Sequence, residues 1–341
     1  MDDVLFGTRD KRGDWTPAIK PEVAPIWLSP WQPAKVLTWL WSFIWPWNAF
    51  HMATALLYLH YVIPDAETMQ TLAWGWALWL YAVNALGIFV MYGTIELFYY
   101  VKRKQGTRFK YIAKFPADVP SDVFWFKSQN IDNFLRTFLV GVPMWTLVEV
   151  LMLWAFANGY APWLTWAENP YYLALLVFLC PFIHELHFFL IHRAIHWEPL
   201  YKWIHSVHHN SVNPSPWSSL SMHPVETFIY HAVALWHLVI PSNPLIGLFQ
   251  LHLAGYGAVN GHIGFDKLEI TDDKTLDSHA YIHYLHHKYF EVNYGGDGLI
   301  PLDKWFGTWH DGSKEGEARM LERFKRKRER LNARKSTLVG S

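Results

Sequence analysis

Four long apolar runs limit what this chain can fold into. Each is close to the roughly 20 residues that an α-helix needs to cross a hydrocarbon core, and they run from Val36 to Val62, Leu72 to Tyr100, Phe138 to Ala157 and Tyr171 to Ile191. Trp and Tyr sit at the ends of most of them, as an interfacial aromatic belt requires. The composition agrees. Charged residues are 17% of the 341, below the roughly 25% of soluble domains, and aromatics reach 18%. The expectation is an all-α, polytopic membrane bundle of four spanning helices. The first span contains Pro46 and His51, so a kink is expected there.

The loops give an orientation. Ile63 to Gln70 and Asn158 to Pro170 contain no Lys or Arg, whereas Lys102, Arg103, Lys104, Arg108, Lys110 and Lys114 crowd just after the second span. The positive-inside rule puts that basic loop, both termini and everything after Ile191 on the cytoplasmic side. A bacterial inner membrane and an endoplasmic reticulum membrane both fit. The start of the chain is charged and has no apolar signal-like core, so no cleaved signal is expected. Two shorter runs, Phe228 to Ile240 and Leu245 to Val259, are separated by Pro241-Ser-Asn-Pro244 and read as a re-entrant helical hairpin or a buried hairpin of a cytosolic cap. The expected organisation is an N-terminal cytoplasmic segment (1–35), two extra spans with the basic loop (36–133), a catalytic region (134–312) and a basic tail (313–341). The tail contains Lys325-Arg-Lys-Arg328 and reads as a solvated or leaflet-facing helix.

Net charge is zero, which gives no electrostatic reason for binding nucleic acid, and a single cysteine, Cys180, excludes a disulfide framework or a cysteine-based metal site. Histidine carries the chemistry. Seventeen of the 19 histidines lie at or after His184. His192 and His196 stand at i and i+4. His205, His208 and His209 stand at i, i+3 and i+4, and His283, His286 and His287 repeat that spacing. His262 stands alone in Asn260-Gly-His-Ile-Gly264. Imidazoles at these spacings share a helix face, so one turn can grip one metal ion. Nine imidazoles are too many for one ion and fit two ions with four or five ligands each. His51, His60, His231, His237 and His252 fall inside apolar segments and read as core histidines.

The three clusters, read as HxxxH, HxxHH and HxxHH, resemble the histidine boxes of the fatty acid hydroxylase/sterol desaturase superfamily of integral-membrane di-metal oxygenases. His223-Pro-Val-Glu226, the His262-Ile-Gly-Phe segment, Asn293-Tyr-Gly and Leu302-Asp-Lys-Trp-Phe-Gly-Thr308 stand in family order, and the likeness covers about residues 175 to 310. It implies two iron ions, O2 as co-substrate, a lipid substrate drawn from the bilayer, and an electron donor such as a cytochrome b5-like protein, a ferredoxin or a reductase. The implied reaction is hydroxylation or desaturation of an unactivated C–H bond. In two places the chain departs from relatives. Glu185 stands where many carry Asp, and Ala258 stands where fatty acid 2-hydroxylase-like members carry a second histidine. This tilts the likeness towards the sterol desaturase-like branch. Further ligands or groups that orient the ligands are expected among His184, Glu185, His187, His223, Glu226, Asn260, His279, Asp297 and Asp303. A membrane zinc hydrolase and a metal transporter or sensor are the alternatives. The first would want a carboxylate base as in HExxH, which the clusters lack, and the second a polar path through the spans.

Overall fold

The computed structural model describes residues 2–296 and 298–339. Asp297 lies outside the described residues. The chain is mostly helical, and among the described residues three helices are long and apolar enough to cross a membrane: α3 (Trp74–Val101), α4 (Gln129–Ala157) and α5 (Pro170–Ile195). The first expected span is broken into α1 (Pro33–Phe43) and α2 (Ala49–Tyr61). Trp45 between them is extended, with φ −115° and ψ 136°, because the ring of Pro46 clashes with a helical residue before it. Two small antiparallel hairpins qualify the all-α expectation. β1 (Gly7–Arg9) pairs with β2 (Trp15–Pro17), and β3 (Lys267–Glu269) pairs with β4 (Thr275–Asp277).

Beyond α5 come residues 198–209 (α6), α7 (Pro224–His231), α8 (Pro244–Gly255), α9 (Ala258–His262), α10 (Tyr281–Tyr289) and α11 (Lys314–Val339). Helix α8 is the centre of the bundle, with every residue buried. Its Ile246, Leu248 and Phe249 pack with Ala55 and Tyr58 of α2 and with Leu173, Leu176 and Cys180 of α5. Gly255 lets it press against α4, since a Cβ there would meet the Trp145 ring at 2.3 Å. The apolar pair Phe228–Ile240 and Leu245–Val259 is core along its second arm, while its first arm leaves Trp236 and Val239 exposed. It reaches the far end of the bundle, where the Leu164 N–H donates to the Ser242 carbonyl at 2.8 Å and the Tyr172 hydroxyl to the Pro241 carbonyl at 2.9 Å. The descending arm achieves this because Ala232–Leu238 is 3-10 helix. Its rise of about 2.0 Å per residue, added to α7, gives a length of about 26 Å.

One polar cluster inside the bundle is internally paired. The Asn84 amide donates to Glu149 Oε2 at 2.6 Å and to the Thr146 hydroxyl at 3.1 Å, and Asn84 Oδ1 accepts from the Tyr58 hydroxyl at 3.0 Å. Of the histidines read as core, His231 bonds the Thr227 carbonyl and His252 the Thr54 hydroxyl. His51 is buried without a hydrogen-bond partner, and His60 is exposed.

The N-terminal segment around Trp15 and the basic loop meet at the opposite end from Ser242. The Trp15 N–H donates to the Tyr111 carbonyl, and Trp15, Phe109 and Tyr111 pack on Tyr281, Tyr284 and Leu285 of α10. The Tyr100 hydroxyl donates to the Pro214 and Ile263 carbonyls at 2.9 and 2.8 Å. The loop's cations are largely committed internally. Arg108 forks onto Glu269, Arg103 pairs with Asp118, and Lys110 is buried with its ammonium on Asn213 Oδ1. Burial pushes the Lys110 ammonium down to about 7.

Candidate metal centre

Two helical hairpins converge at this end. The last turns of α5 carry His192 and His196. A tight turn at Trp197 then leads into α6, where one widened turn, Tyr201–His205, precedes His208 and His209. Helices α9 and α10 bring His262 and then His283, His286 and His287. The nine imidazoles gather in two groups. His192, His196, His205, His209 and His286 form one, and His208, His262, His283 and His287 the other; within each, the donor atoms lie within 4.8 Å of one another. The i, i+4 pairs stay together, and the middle histidine of each HxxHH motif crosses to the other group. Adjacent helical residues point about 100° apart, so His208 and His209 face different centres.

The ring nitrogens test whether an ion fits. In the first group the Nε2 atoms of His192 and His205 are 3.0 Å apart, those of His209 and His286 3.0 Å, and those of His196 and His286 3.2 Å. In the second, His262 Nε2 is 3.1 Å from that of His208 and 3.2 Å from those of His283 and His287. Imidazoles sharing a first-row ion at about 2.0–2.1 Å stand about 2.9–3.4 Å apart. The opposite ring nitrogens fix the tautomers. Nδ1 of His192 donates to the Tyr294 carbonyl at 2.8 Å, that of His286 to Val292 at 2.6 Å, that of His208 to Ser221 at 3.3 Å and that of His262 to Ala258 at 2.9 Å. A carbonyl only accepts, so each Nε2 here is a bare lone pair. His208 and His262 thus aim lone pairs at each other across 3.1 Å with no proton between them. A cation at that point turns this repulsion into ligation, so the residues fit two metal ions.

Burial keeps the ligands neutral. Burial, and after it the neighbouring imidazoles, push His196 down to about 2 and His208 down to about 3. Burial takes His262 down to about 4 against the Ala258 carbonyl, which acts in the other direction. Glu226 accepts from His205 Nδ1 at 2.6 Å, and burial pushes its carboxyl well above the usual carboxylate range. A cation on the far side of that imidazole would favour the ionised carboxylate.

The other expected residues do not enter either group. Glu185 accepts from the backbone N–H groups of Gly298, Leu299 and Ile300 at 2.9, 3.1 and 2.6 Å, anchoring the segment behind the site. His187 bonds the Ile229 carbonyl and accepts from the Trp236 indole. His184 lies against Phe188 and Tyr230. His223 caps α7 by accepting from the Val225 N–H. Asn260 Oδ1 is buried without a partner. His279 is exposed, with φ +59°, on the turn before α10. Its spacing of four from His283 suggests a shared helix face, but the helix starts only at Tyr281. Asp303 accepts from the N–H groups of Tyr294 and Gly295 and from the Thr308 hydroxyl at 2.9, 2.8 and 2.5 Å. It thereby fixes the peptide whose carbonyl holds His192.

Two aromatic residues escaped the sequence reading. Tyr294 stands over the first group, its ring 5.0 Å from that of His196 and 5.8 Å from that of His286. Phe188 touches both groups, 4.5 Å from His192 and 6.3 Å from His283. Its place one turn before His192 on α5 was the available signal.

The fatty acid hydroxylase family matches residues 177–308. Among curated relatives, methylsterol monooxygenase 1 of Gallus gallus is 28% identical over 164 residues, which cover 46% of this chain and 55% of the relative. A Delta(7)-sterol 5(6)-desaturase of Aspergillus fumigatus is 29% identical over 191 residues, covering 48% and 56%. One of Candida albicans is 32% identical over 111 residues, covering 31% and 27%. The chain thus spans about half the length, or less, of these relatives. No solved structure matches it. The matched stretch carries all nine clustered histidines, so it is this histidine-bearing part of the chain that is similar to the fatty acid hydroxylase family and to these sterol-modifying relatives.

Proposed function

We propose that this protein is a membrane-bound di-iron oxygenase that hydroxylates or desaturates an unactivated C–H bond of a lipid of sterol or fatty acyl type. The observation that carries the reading is the pair of separate, all-imidazole groups whose lone pairs face one another. Two irons held by those nine histidines would supply O2 activation, with two electrons from a cytochrome b5-like protein, a ferredoxin or a reductase. Iron rather than zinc follows from the redox demand, since zinc does not change oxidation state. The nearest carboxylates are turned to other work, Glu226 to a ligand's Nδ1 and Glu185 to backbone N–H groups, and this disfavours hydrolysis by a carboxylate base.

The chain's own residues would act by positioning. The Ser221, Ala258, Val292 and Tyr294 carbonyls and the Glu226 carboxyl hold five imidazoles in one tautomer, so their Nε2 atoms need no reorganisation to bind. Phe188 bridges both groups and continues into an apolar flank with Ile183, Met222 and Tyr230. Along that flank a lipid carbon can approach while water is excluded, and packing would select the bond that reacts. Residues 134–312 would form the catalytic region and 36–133 would add two spans. Both termini and the histidine end would face the cytoplasm, of an endoplasmic reticulum type or a bacterial inner membrane.

The test is elemental analysis of detergent-purified protein, followed by O2 consumption and product analysis with sterol and fatty acyl lipids and a reducing partner. Two irons per chain and lipid-dependent O2 uptake with an oxidised product are expected. A single zinc with no O2 uptake would overturn the reading.

A further inference from the structure

Away from the histidines, a cavity of about 270 Å³ opens between the Leu302–Trp305 turn and α11. Lys304 enters from one wall and Arg319 and Arg323, one helical turn apart, from the other. Trp309 and Met320 form an apolar floor, and Val292 lies at the back. Among the described residues three cations line it, and no carboxylate does. The ion pairs of this helix are made elsewhere, by Arg326 with Glu322 and Lys327 with Glu291. Arg323 is held in place by donating to the Gly307 and Glu291 carbonyls. The Lys304 ammonium lies 5.2 Å from the centre of the Trp309 ring. Glu291 and Asp303 offset part of the charge of Arg323, and Asp311 part of that of Arg319, from outside the lining; within the concavity the three like charges still repel one another unless an anion joins them.

We infer that this cavity binds a phosphate monoester group, presented by a lipid headgroup or by a soluble phosphate. A monoester carries close to two negative charges near neutral pH, so it matches three converging cations better than a singly charged diester or carboxylate. Guanidinium forks suit its oxygens, and the Trp309–Met320 floor suits the carbon skeleton attached to it. The concave shape takes a single small group, whereas an acidic protein would want a broad face. The site also communicates with the metal centre. Arg323 holds the Glu291 carbonyl, and the next carbonyl, Val292, accepts from Nδ1 of His286 at 2.6 Å. An anion drawing on Arg323 therefore acts one peptide away from a metal ligand's partner.

Full-length protein in detergent would be titrated with inorganic phosphate by calorimetry. It would also be offered phosphatidic acid and phosphatidylglycerol, with lipid retention read by native mass spectrometry. Saturable binding of one phosphate, or preferential retention of phosphatidic acid, is expected, and which of the two predominates assigns the soluble or the lipid source. A Lys304→Gln, Arg319→Gln double variant should bind at least about tenfold more weakly. Arg328→Gln, which removes one charge from an exposed position outside the cavity, should change nothing. Both cavity positions are exposed, so the fold should survive, and an unchanged melting temperature would verify this. Overturning results are no binding of either probe, equal weakening by Arg328→Gln, or an effect of the double variant confined to binding of an acidic redox protein.

Discussion

The division of nine imidazoles into five and four would make the two proposed metal positions unequal, and single substitutions should expose that. His208 belongs to the group of four, with His262, His283 and His287. His208→Ala leaves three ligands there. A four-ligand site worth about 10–16 kcal/mol yields about 3 kcal/mol per ligand, so affinity at that position should fall by about two orders of magnitude. His196 belongs to the group of five, and His196→Ala leaves His192, His205, His209 and His286, a complete four-ligand set. The assay is metal per chain by elemental mass spectrometry after dialysis against a graded chelator, with circular dichroism as a check on folding. His208→Ala should lose one ion per chain at chelator concentrations that leave the wild type with two. His196→Ala should retain both to within about tenfold of wild type. Equal loss in the two variants, or loss of both ions together in His208→Ala, would refute the five-and-four partition. His279→Ala, at an exposed left-handed position outside both groups, should behave as wild type.

Glu226→Gln keeps the shape of the His205 partner but removes its charge, and it should weaken metal retention by about 10–100-fold in the same chelator series; unchanged retention would show that Glu226 does not orient His205. Acid should destabilise the metal-free protein. His196, His208 and His262 are held at about 2, 3 and 4, below the ordinary 6.5. The unfolded chain therefore takes up protons below pH 6.5 that the folded one refuses. Stability should be full above pH 6.5 and fall below it by up to about 1.4 kcal/mol per pH unit for each such histidine. A melting temperature in detergent that stays level from pH 7 to 5 would contradict this. Gly264→Ala should lower the melting temperature by an amount corresponding to about 2–4 kcal/mol, because φ there is +74° and a Cβ would meet the Tyr100 hydroxyl at 2.2 Å and the Pro214 carbonyl at 2.7 Å. Wild-type stability in that variant would show that the Tyr100 bridge between Pro214 and Ile263 is dispensable.

Much of the site was legible in one dimension because helical spacing fixes which side chains share a face. The pairs His192/His196, His205/His209 and His283/His287 each stay within one group, as i, i+4 neighbours should. The apolar runs were legible for the same reason of length and composition, and Pro46 marked where the first would break. The sequence could not say that His286 joins the pairs from α5 and α6, or that His262 completes the other group. Those choices depend on how α9 and α10 dock against α5 and α6. It also hid the acceptors that fix the tautomers. Four of them are backbone carbonyls, at Ser221, Ala258, Val292 and Tyr294, and every residue carries one, so no side-chain pattern marks them. The depth of the Phe228–Val259 hairpin escaped for a related reason, since its length rests on a 3-10 stretch, Ala232–Leu238, whose composition differs little from that of an α-helix. Sequence by itself thus determined which residues are apolar and which imidazoles share a helix face, both of which follow from local periodicity. The tertiary structure alone decided the five-and-four partition, the carbonyls behind the ligands and the basic cavity beside α11, because each joins residues brought together only by packing between helices far apart in the chain.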